Sequence, residues 1–329
     1  MAGPKARQFV AALLLAALLT GCGASSTVPA AVPTTAPAPA EIASPETAEG
    51  CRITQESFPV QRGDEVVQVP AAVTLPDQGY GWPLVVLCHG FTGNRQGDGH
   101  FPRLAQQLAR AGIACIAIDF AGNGDSTEPF TAYSLTEMSD DIDGAIQFMF
   151  SRYGVNAECL GLVGHSMGGR AVTLHLSDAV QAAALWSPAN NPGLDGVEFL
   201  ARTEEERQAL LDQARAEGSV TLPQWNATVS DTFLEEMAGS DPCAMLEQYR
   251  GALLVSFAGA DPDLLSQDTI DRTEAAAEAR GLPWVDLYGE FEDATHNYTS
   301  LDGEDDLAVA TRLEDATAEF LCQALLADS

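Results

Sequence analysis

The sequence predicts an α/β fold, with a mostly parallel central sheet and helices on both faces. Short apolar runs alternate along most of the chain with stretches whose apolar side chains recur at helical spacing. Several of these runs are continuous rather than alternating, as in Leu84-Val85-Val86-Leu87-Cys88, which suits strands buried on both faces. Helix-length stretches between them supply the crossovers that parallel strands require.

In chain order, residues 55–61 and 65–75 read as a hairpin around Arg62-Gly63-Asp64. Residues 82–88 form a buried strand ending at His89-Gly90, and 101–111 a helix with Phe101, Leu104, Leu108 and Ala111 on one face. Residues 113–120 give the next strand, followed by a helix over 135–152 that carries Met138, Ile142, Ile146 and Phe150. A strand at 159–163 runs directly into Gly164-His165-Ser166-Met167-Gly168-Gly169 and a helix through Leu176. After a strand at 180–186 the rhythm breaks. Residues 190–248 are acidic and helix-rich with scattered large apolar residues, as expected of a cap insertion. The rhythm resumes with a strand at 252–257, a helix at 269–280, a strand at 284–288 and a terminal helix at 305–326.

The first 21 residues have the pattern of a secretory signal. Lys5 and Arg7 precede an apolar run over 9–19, too short for a permanent membrane span. Leu19-Thr20-Gly21-Cys22 resembles a bacterial lipobox, which implies lipidation of Cys22 and an extracytoplasmic, membrane-anchored protein. Residues 22–50, rich in Ala, Pro and Thr, cannot bury enough apolar surface to fold and read as a tether. The folded domain is then expected over 51–329, about 280 residues and a plausible size for one large α/β unit.

The 329 residues carry a formal charge of −31, and Lys5 is the sole lysine. So acidic a surface repels phosphate backbones, which argues against a nucleic-acid partner. Beyond Cys22 six cysteines remain, at 51, 88, 115, 159, 243 and 322. Disulfides are permitted outside the cytoplasm, but the sequence selects no pairing, and the absence of C-x-x-C spacing gives no sign of a metal site.

Gly-x-Ser-x-Gly is informative here because it falls between a predicted strand and a predicted helix. A sharp turn there presents the hydroxyl of Ser166 at the carboxyl edge of the sheet. A serine hydroxyl is a weak nucleophile and needs a base oriented by an acid. Of the histidines at 89, 100, 165, 175 and 296, only His296 follows all the candidate acids. The acid is expected after the 252–257 strand, where Asp261 is the first choice and Asp263 its rival; Asp293 is a weaker third. The oxyanion needs two fixed N–H donors, assigned to Met167 and Phe91. His89 reads as a loop brace. Arg170 reads as the partner of a structural carboxylate, with a substrate carboxylate as the alternative.

Together, Leu87-Cys88-His89-Gly90-Phe91-Thr92-Gly93, Asp119-Phe120-Ala121-Gly122-Asn123-Gly124-Asp125-Ser126, the Ser166 turn and the late Asp and His loops resemble the α/β-hydrolase superfamily. The likeness spans roughly residues 53–325. Within it, the His-Gly-Phe-Thr-Gly loop and the Asp119 turn are similar to cinnamoyl/feruloyl esterase-like and dienelactone hydrolase-like enzymes. Ser166 differs from the Cys nucleophile usual in the dienelactone group proper, and Ala121 stands where the superfamily often has Arg. The resemblance implies hydrolysis of a small-molecule carboxylic ester through an acyl-enzyme, with no metal or organic cofactor. Peptidase, amidase or thioesterase action by the same residues, or a non-catalytic surface-binding role, are the alternatives.

Overall fold

The computed structural model describes residues 46–259, 264–301, 303 and 305–327. The signal segment, Cys22, most of the tether, and both Asp261 and Asp263 lie outside the described residues.

Strand β1 (Glu46–Ala48) pairs antiparallel with β2 (Cys51–Arg62), which turns through residues 63–64 into β3 (Glu65–Pro76). The parallel part follows: β4 (Pro83–Cys88), α1 (His100–Ala111), β5 (Ala114–Ile118), α2 (Leu135–Tyr153), β6 (Asn156–His165), α3 (Met167–His175) and β7 (Val180–Trp186). Before the sheet resumes come α4 (Glu204–Glu217), the short strands β8 (Ser219–Leu222) and β9 (Ala227–Ser230), α5 (Asp231–Gly239) and α6 (Pro242–Gln248). The chain closes with β10 (Ala252–Ser256), α7 (Gln267–Ala279), β11 (Val285–Asp286) and α8 (Asp306–Leu326).

The strands lie in the order β1-β2-β3-β5-β4-β6-β7-β10-β11, and every pairing from β5 to β11 is parallel. All six residues of β4 are buried, as its continuous apolar run requires. Alternation assigns Leu84, Val86 and Cys88 to one core cluster and Val85 and Leu87 to the other, so helices cover both faces. Among the described residues all six cysteines from Cys51 onward are free thiols, and no helix is long and apolar enough to cross a membrane.

Three local expectations change. Phe150 is 57% exposed; the buried face of α2 runs through Met138, Ile142, Ala145 and Met149, and residue 150 lies one 100° step beyond it. The last strand shrinks to two exposed residues, since β11 has a single neighbour and Pro283 at its approach offers no N–H. Segment 190–248 is not purely helical: β8 and β9 form an antiparallel hairpin through a tight turn with Asn226 at φ 49°.

Candidate active site

At the carboxyl ends of the parallel strands, β6 ends in His165 and α3 begins at Met167. Ser166 stands between them at φ 56°, ψ −119°, a strained conformation held by its surroundings. Its N–H donates to the Trp186 carbonyl at 2.9 Å, and its own carbonyl accepts from Arg170 and Ala189, each at 3.1 Å. The turn needs glycine at 168, where a Cβ would stand 2.2 Å from the Cys88 carbonyl oxygen. The hydroxyl therefore sits at the positive end of α3, whose first N–H groups have no partner within the helix.

A cavity of about 200 Å³ opens over Ser166. Its lining brings Ser166 and His296 together with Phe91, Leu264 and Leu265, and with Phe199 and Trp225 from the segment between β7 and β10. Met167 follows Ser166 directly, so the four residues expected to supply nucleophile, base and both oxyanion donors meet at one end of the sheet. Asp261 and Asp263 fall outside the described residues; Leu264, immediately after them, lines the same cavity. Asp293 faces solvent, with Arg312 at 3.5 Å.

His296 sits in a tight loop. The Thr295 N–H donates to the Thr299 carbonyl at 2.9 Å, and the Tyr298 N–H to the Thr295 carbonyl at 2.8 Å. Tyr298 is buried at φ 52°, with its hydroxyl 3.1 Å from the hydroxyls of both Ser187 and Ser256. The ring of His165 lies tilted at 45° to that of His296, with centroids 4.9 Å apart, and its Nε2 lies 2.9 Å from the His296 carbonyl oxygen. Burial, and then the proximity of His296, hold His165 well below the usual histidine range, so it is neutral.

His89 braces the loop, as the sequence suggested. Its Nδ1–H donates to the Gly90 carbonyl at 2.7 Å while Nε2 accepts the Phe120 N–H at 3.1 Å, which fixes one neutral tautomer. Burial pushes its pKa down to about 4. The Asp119 turn has the same purpose. The Asp119 carboxylate accepts the N–H groups of Arg95 at 2.6 Å and Asp125 at 2.9 Å, and pairs with the Arg95 guanidinium. Thus the loop after β4 and the loop after β5 are tied at one carboxylate, with Arg95 supplying its countercharge.

Arg170 corrects both sequence readings. It is fully buried and donates to the Ala189 and Asn191 carbonyls at 2.7 Å and to the Ser240 hydroxyl at 2.6 Å, with no carboxylate among these partners. Burial without an ion pair pushes its pKa down to about 9. Its task is to tie the chain leaving β7 to the end of α5, away from the cavity.

Two features escaped sequence reading. One is the β8–β9 hairpin whose turn carries Trp225, and its signal was present: Val220 and Leu222, then Ala227 and Val229, alternate with threonines across Pro-Gln-Trp-Asn. The contact between His165 and the His296 loop spans 131 positions, and no local pattern encodes it.

The sheet order, the strained Ser166 turn and its position at the strand ends are those of an α/β hydrolase. The sequence profile of the alpha/beta hydrolase family matches residues 85–323, and the chain belongs to that family. A 95-residue stretch is 32% identical to the AB hydrolase superfamily protein YisY of Bacillus subtilis, and one of the same length is 30% identical to an Escherichia coli 31.7 kDa protein. Each match covers 29% of this chain and about a third (32%) of the relative. Among solved structures, Est1E from Butyrivibrio proteoclasticus with ferulic acid bound superposes with a TM-score of 0.58 at 16% identity, covering 80% of this chain and 99% of that one. An acetyl xylan esterase from Paenibacillus sp. R4 gives 0.58 at 16% identity over 84% and 87%. A Pyrococcus furiosus esterase gives 0.57 at 16% identity over 83% and 92%.

Proposed function

We propose that this protein is a serine carboxylic-ester hydrolase acting through an acyl-enzyme. The observation that carries the reading is the convergence of Ser166, on its strained turn, and His296 on one cavity at the positive end of α3. His296 takes the Ser166 proton as the oxygen attacks the ester carbonyl. The N–H groups of Phe91 and Met167 hold the oxyanion, and Asp261 stabilises the imidazolium. His296 then protonates the leaving alcohol, and a water activated by the same imidazole releases the acid.

The cavity walls favour an aromatic or short apolar acyl group. Phe199 and Trp225 face the site, and the buried indole N–H of Trp225 has no hydrogen-bond partner among the described residues. An acyl group bearing a hydroxyl or ether oxygen would satisfy it. The solved neighbour holding ferulic acid is consistent with such a group. A panel of p-nitrophenyl esters from acetate to hydroxycinnamates, with matched anilides, tests the reading. Wild type should hydrolyse the esters and label with a fluorophosphonate; Ser166→Ala should do neither. Equal rates in the two proteins overturn the assignment, and faster cleavage of anilides moves it to an amidase.

The same proposal places the enzyme outside the cytoplasm, held to a membrane by lipid on Cys22, on the strength of Leu19-Thr20-Gly21-Cys22 and the tether that follows. Cys22→Ala should move the protein from the membrane fraction to the soluble one and abolish incorporation of labelled palmitate.

A further inference from the structure

We infer that His165 and His100 are positioning residues that clamp the loop of His296 through two consecutive main-chain carbonyls. The inference rests on the reading of His296 as the general base.

The two contacts reach the loop from different elements of the fold. From the end of β6, Nε2 of His165 lies 2.9 Å from the His296 carbonyl oxygen. From the first residue of α1, Nε2 of His100 lies 2.8 Å from the Asn297 carbonyl oxygen. A carbonyl only accepts, so both ring nitrogens must carry a proton and donate. At His100 the other nitrogen, Nδ1, is 2.8 Å from Oε1 of Glu314, itself 1% exposed and paired with Arg103. A second proton lies between Nδ1 and that carboxylate, on whichever atom holds it. The order Glu314, His100, Asn297 carbonyl is thus a directed chain from the α8 core to the base loop.

The loop needs such support. Tyr298 holds a positive φ, which costs on the order of 1–3 kcal/mol unless the surroundings fix it. The loop returns on itself within five residues through Thr295 and Thr299. The loop's own bonds close its ends but leave its orientation toward Ser166 to outside contacts. His165 is adjacent to Ser166 in the chain, so a shift of the nucleophile turn carries the base with it. Because burial keeps His165 neutral, its ring remains a donor rather than a competing cation when His296 becomes charged. A misplacement of the base by about 1 Å is enough to cost up to about 100-fold in rate.

The test uses the full chain and p-nitrophenyl butyrate, with folding checked by circular dichroism. His165→Leu and His100→Leu should each lower kcat about tenfold or more, with KM within about twofold, and slow fluorophosphonate labelling of Ser166 by a similar factor. His165→Gln and His100→Gln, whose amides place a donor near the same point, should recover most of that loss. If the leucine variants do not fold, His165→Asn, with a shorter reach, is compared with His165→Gln. Unchanged kcat in the folded leucine variants, a loss confined to KM, or equal kcat in the Asn and Gln proteins overturns the clamp. His296→Ala separates the two levels. Retained hydrolysis in that variant overturns the reading of the base itself, whereas its loss beside indifferent His165 and His100 variants overturns only the clamp.

Discussion

The ring of Phe91 meets the indole of Trp225 edge-on, with centroids 5.6 Å apart and planes at 88°. Phe199 and Phe233, from the same inserted segment, also touch Phe91, as do Phe130 and Tyr133 from the chain after β5. Each such ring pair contributes roughly 0.5–1.5 kcal/mol beyond its buried area. The side chain of the proposed oxyanion donor is therefore held by the insertion, and its N–H direction follows.

Trp225→Ala should consequently lower kcat and not merely raise KM. With p-nitrophenyl acetate, whose acyl group is too short to need the indole, kcat should fall roughly 10-fold. That is less than the roughly 10²–10³ lost when an oxyanion donor is removed outright. Steady-state kinetics decide it: a change in KM alone would make the indole a wall and nothing more.

Gly90 sits where the loop after β4 passes Ser166. A Cβ there would lie 2.9 Å from the Ser166 Cβ and 3.4 Å from its Oγ. The φ of Gly90 is not in the left-handed region, so alanine meets no backbone penalty and the cost falls on that contact. Gly90→Ala should lower kcat/KM by about 100-fold, since displacements near 1 Å suffice, while Tm changes little. A folded Gly90→Ala protein with near-normal fluorophosphonate labelling would contradict this packing.

The α/β architecture was legible because β4, β5 and β7 are buried on both faces and wrote themselves as continuous apolar runs. The Ser166 turn was legible because its Gly-x-Ser-x-Gly spacing falls between a continuous apolar run and a helical stretch, although the contact that demands Gly168 comes from Cys88, far back in the chain. The insertion was less so. Strands β8 and β9 are four residues each, the shortest run over which alternation can be read, and they lie in an acidic helical background. Arg170 misled because a lone arginine beside the Ser166 turn suggests a counterion, whereas three main-chain and hydroxyl oxygens far along the chain accept from its terminal nitrogens. The histidine clamps bridge 131 and 197 positions, and only the folded chain brings them together.

Asp141 on α2 is fully buried against Arg62, at 2.5 Å, with Glu128 and Glu137 contacting the same guanidinium. Burial, aided by those two carboxylates and opposed by Arg62, pushes its pKa up to about 7. The folded state thus binds this proton more tightly than the unfolded chain. The associated stability is complete below pH ~4 and is lost as pH rises toward 7. Asp141→Asn, which imitates the protonated acid, should be more stable than wild type at pH 8 by at most about 4 kcal/mol. The advantage should close as pH falls to about 4. Urea unfolding at both pH values measures it, and a gap independent of pH would place the Asp141 pKa near that of an ordinary carboxylate.

Among the described residues no Lys or Arg lines the cavity, and exposed Asp98 stands on its rim. The chain as a whole carries −31. A negative field around a partly enclosed site lowers the local concentration of anions, by factors that reach 10–10³ in focused clefts. A p-nitrophenyl hemisuccinate should therefore be hydrolysed at least about tenfold more slowly, in kcat/KM, than the neutral butyrate of similar length. Raising salt from 0.01 M to 0.5 M should narrow the gap, because screening shortens the reach of the field to a few ångströms. Asp98→Asn should narrow it further at low salt while leaving the butyrate rate unaltered. Equal turnover of the two esters at low salt would mean that a cation outside the described lining compensates the charge, and the preference for neutral acyl groups would fall with it.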